Sequence, residues 1–100
     1  KIDVIKIDVQ GAEGRAFAGA ANTLKRDMPA IITEYWPYGM KNMGTDPEEF
    51  VARFEKLGYA CALMDSRTGA LKPVTPKTAL GIAANRPGGR GWANMVCTKR

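Results

Sequence analysis

The sequence predicts an α/β fold, and three observations carry the prediction. Apolar residues recur with a period of two, then with a helical period, and the pair of patterns repeats along the chain. Gly or Pro stands at most changes of period. Asp46-Pro47-Glu48-Glu49 and Gly58 bracket one segment with the chemistry of a helix start and a helix end. Strand, helix, strand, helix, strand is the alternation that builds a largely parallel sheet with flanking helices. We find no internal repeat and no linker, so residues 1–100 are read as a single domain.

The first strand is read from Ile5, Ile7 and Val9 alternating with Lys6, Asp8 and Gln10, with Ile2 and Val4 extending it upstream and Gly11 ending it. Over residues 12–26 the period changes: Ala16, Phe17, Ala20, Ala21 and Leu24 share one helical face, and Pro29 marks the end of the following loop. Gly14 and Gly19 weaken this helix by about 1 kcal/mol each relative to Ala. Residues 30–36 form a second strand, rich in the β-favouring Ile31, Ile32, Tyr35 and Trp36, and Pro37 ends it. Residues 37–45, with Gly39, Gly44, Asn42, Met40 and Met43, read as a loop over the sheet edge.

Asp46 can cap the next helix, Pro47 suits its first turn, and Glu49 can complete a capping box. Phe50, Phe54 and Leu57 make its buried stripe, and Gly58 can end it in a left-handed conformation. Residues 59–65 form a third strand, residues 66–69 a turn, and residues 70–74 a short returning strand. Thr75-Pro76 opens a short helical turn, residues 85–91 form a Gly- and Arg-rich loop, and residues 92–98 form the last strand. Nothing in this chain precedes the first strand, which would leave a long apolar edge open. The chain also enters that strand at Lys1 without an initiator Met, so we expect an N-terminal half to be missing or another copy to cover the edge.

Composition excludes more than it assigns. Hydrophobic residues at 45% and charged residues at 25% are ordinary for a folded domain and argue against disorder. No apolar run approaches the length of a membrane span, and we expect no membrane partner. The net charge of +5 comes from scattered basic residues, densest at Lys25-Arg26, Arg86–Arg90 and Lys99-Arg100. Without a recognised motif we expect no nucleic-acid partner, although the loop from Arg86 to Gly91 is the feature that would serve one. Cys61 and Cys97 lie in apolar strands, and with no His in the chain there are too few soft ligands for zinc. Buried free thiols in a reducing, cytoplasmic setting are expected; a disulfide requires the two strands to be neighbours.

The run Ile5-Lys6-Ile7-Asp8-Val9-Gln10-Gly11-Ala12-Glu13 resembles the I-K-I-D-V-E-G-A-E motif of FkbM-family methyltransferases, departing only at Gln10. Gly19-Ala20, the run Pro29 to Glu34 and Leu57-Gly58-Tyr59 resemble later parts of the same pattern, in the same order. The resemblance covers about the first 65 residues well and the remainder loosely. It implies a Rossmann-type methyltransferase sheet, of which this chain would supply the strands in the order 4-5-7-6 with the last strand antiparallel. It implies S-adenosylmethionine as cofactor for the parent protein, with the Gly-rich cofactor loop and the ribose-binding acid in an absent N-terminal half. The isolated chain would then be an inactive C-terminal part of a methyltransferase domain. The reaction expected of the parent is O-methylation of a small molecule or sugar.

Five residues are the site candidates. Asp8 would lie at the carboxyl end of a parallel strand, where open α/β sheets place their ligands, and could accept the proton of an attacking hydroxyl; capping the next turn is its structural alternative. Gln10 can bind a substrate but cannot act as a base. Glu13 suits either substrate binding or the positive end of a helix. Glu34, at the carboxyl end of the second strand, suits a substrate or a salt bridge. Tyr35 is the fifth; with Trp36 and Tyr38 it could wall an acceptor, although core packing is the commoner role of aromatics, and more so for Trp92. Asp8, Glu13 and Glu34 offer hard oxygen ligands, but their spacing alone demands no metal. The competing functional reading is a small self-associating binding module without catalysis, a homodimer joined through the exposed first strand.

Overall fold

The computed structural model describes residues 1–84 and 91–100. Its elements in chain order are β1 (Val4–Ile7), α1 (Glu13–Gly19), α2 (Ala21–Asp27), β2 (Ala30–Tyr35), α3 (Pro37–Asn42), α4 (Pro47–Leu57), β3 (Tyr59–Met64), β4 (Leu71–Pro73), α5 (Pro76–Ala84) and β5 (Ala93–Lys99). The strands form one mixed sheet in the order β1-β2-β5-β3-β4. β1 and β2 are parallel, with Val4 opposite Ala30 and Ile7 opposite Thr33. β5 enters between β2 and β3 and runs antiparallel to both, so β3 runs in the direction of β2.

One core lies on one face of this sheet. Alternate residues of the three central strands are buried: Ile31, Thr33 and Tyr35 of β2, Ala93, Met95 and Cys97 of β5, and Tyr59, Cys61 and Leu63 of β3. Phe17, Leu24, Met40, Phe50, Val51, Phe54, Ala79 and Ala83, drawn from all five helices, join the same cluster. The Phe54 ring packs edge-on against Phe17, Phe50 and Tyr59, with centroids 5.1, 5.2 and 5.8 Å away. The Tyr59 hydroxyl donates to the Pro29 carbonyl at 2.7 Å, fixing the entry of β2 against β3. The other sheet face carries no helix among the described residues. Its side chains are half-buried, as at Ile32, Val96 and Ala62, or exposed, as at Val4 and Lys6.

α4 obeys its sequence signals. The Asp46 carboxylate accepts from the Glu48 N–H at 3.1 Å, Pro47 occupies the first turn, and Gly58 closes the helix at φ 103°. Glu49, expected to complete a capping box, instead meets Arg53 one turn on at 3.5 Å.

Four expectations need correction. The helix over residues 12–26 is two helices, α1 and α2, broken at Ala20, which closes the first and opens the second. Residues 37–42 are a helix rather than a loop, because Pro37 takes the first-turn position that Pro favours. Met40, placed in that loop, is fully buried in the core. The short turn expected at Thr75-Pro76 is the nine-residue helix α5. The loop expected over residues 85–91 lies outside the described residues up to position 90.

Candidate functional site

The site begins at the turn that follows β1. Gln10 is held at φ 54° and Gly11 at φ 101°, so the chain reverses through two successive left-handed residues. For Gln10 this conformation costs about 1–2 kcal/mol and needs local compensation. Glu13 supplies it. This fully buried carboxylate accepts the Val9 N–H through Oε2 and the Gly11 N–H through Oε1, each at 2.9 Å. Gly11 also requires its missing side chain: a Cβ there would stand 2.6 Å from the Gly39 carbonyl oxygen of α3. The turn therefore sits directly on the start of α3, beside the end of β2.

Parallel pairing of β1 with β2 places the ends of both strands together. Asp8 follows one strand end and Glu34 lies at the other, and with Glu13 they bring carboxylate oxygens within 4.8 Å of one another. Gln10 donates its side-chain N–H to Asp8 Oδ1 at 3.0 Å. Among the described residues, no ion pair neutralises Asp8, Glu13 or Glu34. The salt bridge weighed for Glu34 is thus absent among them. Partial burial, the adjacent Asp8 charge, a hydrogen bond with Asp8 and the Glu13 charge push the Glu34 carboxyl up to about 7. Glu34 thus exchanges its proton near neutrality rather than in the usual carboxylate range.

A cleft of about 750 Å³ opens beside these carboxylates, lined by Gln10, Glu34, Trp36, Tyr38 and Trp92 and closed by the end of α5 at Ala84. Tyr38 is 67% exposed and Trp92 38% exposed. The rings of Trp36 and Tyr38 lie 5.8 Å apart at 44°. A partly charged, aromatic cleft of this kind can hold a polyhydroxylated or cationic group and exchange a proton with it.

Four of the five candidates, Asp8, Gln10, Glu13 and Glu34, meet at this place. Tyr35 does not: it is fully buried on the helix-covered face, stacked with Phe50 at 6.4 Å. Trp92, read as a core anchor, stands half-exposed in the cleft instead. Its position was not legible, because nothing in residues 85–91 says where the last strand enters the sheet. The three carboxylates lie within reach of one hard cation. Both Glu13 oxygens are already committed to backbone donors, however, and acidic groups also gather this way without a metal.

No curated protein and no solved structure matches the chain significantly. The Methyltransferase FkbM domain matches residues 1–61, which include β1, β2, α4 and every carboxylate of the site. The chain therefore belongs to the FkbM methyltransferase family.

Proposed function

We propose that this chain is the C-terminal, acceptor-side part of a cytoplasmic S-adenosylmethionine-dependent methyltransferase domain that methylates an oxygen of a small molecule or sugar. The observation that carries this reading is the meeting of Asp8 and Glu34 at the ends of two parallel strands, beside an aromatic cleft. Among the described residues one sheet face carries no helix and β1 lies at the sheet edge; both support the reading, because a doubly wound methyltransferase sheet needs both covered by an N-terminal half. The part β1-β2-β5-β3 of the sheet, with β5 reversed, supports the expected order 4-5-7-6, while β4 beyond β3 is an added strand outside that order.

The cofactor, when bound, supplies an electrophilic methyl on a positively charged sulfonium. The donor set suits a cation: three carboxylates without an ion pair among the described residues, next to Trp and Tyr rings. In this reading Asp8 accepts the proton of the acceptor hydroxyl as it attacks. Glu34 and Gln10 hold neighbouring hydroxyls, Trp36, Tyr38 and Trp92 cover the apolar face of the acceptor, and Glu13 fixes the turn that aims Asp8. Gln10, where the family pattern has Glu, donates to Asp8 as Glu could not without a proton.

The test is methyl transfer by a chain extended upstream, against a panel of sugars and small alcohols. Asp8→Asn should lower kcat by about 100-fold or more, the usual contribution of a general base, with little change in KM. An unchanged kcat would remove Asp8 from the chemistry. The non-catalytic reading, a homodimer through β1, rests on the same open edge. It predicts a stable dimer of this chain by sedimentation and no methyl transfer by any extended form.

A further inference from the structure

The only two cysteines of the chain face each other across the middle of the sheet. Cys61 of β3 pairs directly with Cys97 of β5, and their sulfurs stand 3.1 Å apart. The kind of pair follows from the ladder. The Arg100 N–H donates to the Gly58 carbonyl, which makes Gly58–Arg100 a hydrogen-bonded pair. Pair types alternate along an antiparallel ladder, so Cys61–Cys97 is a non-hydrogen-bonded pair. The Cys61 carbonyl agrees, since it accepts from Val74 on the β4 side instead. Side chains are closest at such pairs, with Cα atoms about 4.5 Å apart, inside the range that a disulfide spans without backbone movement.

We propose that Cys61 and Cys97 form a reversible redox couple, closing a cross-strand disulfide that locks β3 to β5. The oxidant is a low-molecular-weight disulfide. One cysteine, as thiolate, attacks it to form a mixed disulfide and releases one small thiol. The second cysteine attacks the protein sulfur of that mixed disulfide and releases the other small thiol. The protein loses two protons and two electrons, and the small disulfide takes both up as two thiols.

Burial sets the rate. Cys97 is fully buried and Cys61 is 4% exposed. The mutual hydrogen bond and burial hold the Cys97 thiol far above the ordinary thiol range. Neither sulfur is open to a small disulfide in the closed core, so exchange must pass through local opening. The weak side is β4, a strand of three exposed residues that pairs with the outer edge of β3. Cys61, on β3, is the cysteine that such opening presents first. This couple is independent of the methyl-transfer reading.

The experiment is equilibration of the reduced protein with oxidised glutathione, with and without urea below the unfolding midpoint. Thiols are then counted after denaturation, with mass and oligomeric size recorded. We expect two thiols to fall to none, with loss of two hydrogen masses, no change in oligomeric state, faster reaction in urea and full recovery in dithiothreitol. Cys61→Ala and Cys97→Ala should each leave one thiol or a glutathione adduct. Two thiols remaining in the wild-type chain, a stable mixed disulfide, or a disulfide-linked dimer would each overturn the proposal, whether or not the variants fold.

Discussion

Replacing Glu13 by Gln should destabilise the protein far more than its similarity of shape suggests. The Glu13 side chain is fully buried, and its two oxygens accept separate backbone N–H groups at 2.9 Å. Gln keeps the volume but offers a single acceptor oxygen, and its amide would set an N–H against an N–H. A hydrogen bond to a charged group is worth about 1.5–3 kcal/mol, and an orphaned buried donor costs about 1–3 kcal/mol. The two figures overlap in part, so we expect a loss of about 3 kcal/mol. At a urea m-value of about 1.5 kcal/mol/M the midpoint would fall by about 2 M. Glu49→Gln is the control: the Glu49–Arg53 pair is separated by 3.5 Å and more than half exposed on both sides. Removing it should cost about 0.3–0.5 kcal/mol. If Glu13→Gln costs no more than Glu49→Gln in urea denaturation, the turn is not held by this carboxylate and the account of the site's geometry fails.

Three further outcomes follow from the packing and the charges. Phe54→Ala empties the place where the rings of Phe17, Phe50 and Tyr59 converge, and should cost about 3–5 kcal/mol by chemical denaturation; a cost under about 1 kcal/mol would show that the core is not centred there. The Tyr35 hydroxyl is buried without a partner among the described residues, so Tyr35→Phe should leave stability unchanged or raise it by about 1 kcal/mol, read as a higher Tm. Glu34 binds its proton more tightly folded, near 7, than unfolded, near 4.5. The folded chain therefore holds the extra proton across that window, and stability should fall as pH rises from about 4.5 to 7 and level off above. Asp27, lowered to about 2 chiefly by its hydrogen bond with Arg26, acts only below 3.8, so Glu34→Gln should flatten the upper window alone.

Much of this arrangement is legible in the sequence, and the parts that are not have physical reasons. Asp46, Pro47 and Gly58 delimit α4 because each satisfies a backbone requirement of a helix end by itself. The meeting of Asp8 and Glu34 is legible once the two strands are read as parallel neighbours, since their carboxyl ends then coincide. Period two carried a further signal: Glu34 and Tyr35 are adjacent in a strand, so they face opposite sides and cannot both line one site. α3 was hidden because Gly39 looked like a loop residue. It is Gly because a Cβ there would run into the Trp36 ring, a packing demand that appears only after the chain has folded. Glu13 looked like an ordinary first-turn acid because its partners, the N–H groups of Val9 and Gly11, become available only through the left-handed turn at Gln10. The Cys61–Cys97 contact depends on which strands adjoin, and residues 36 positions apart carry no local trace of it.

The most direct test of the central claim is a calorimetric titration of S-adenosylmethionine into this chain and into a form extended upstream to include the N-terminal half proposed above. The account predicts no measurable binding to the chain alone and saturable binding to the extended form. Saturable binding by the chain alone would contradict the division of the site between two halves, and no binding by either form would contradict the methyltransferase reading itself.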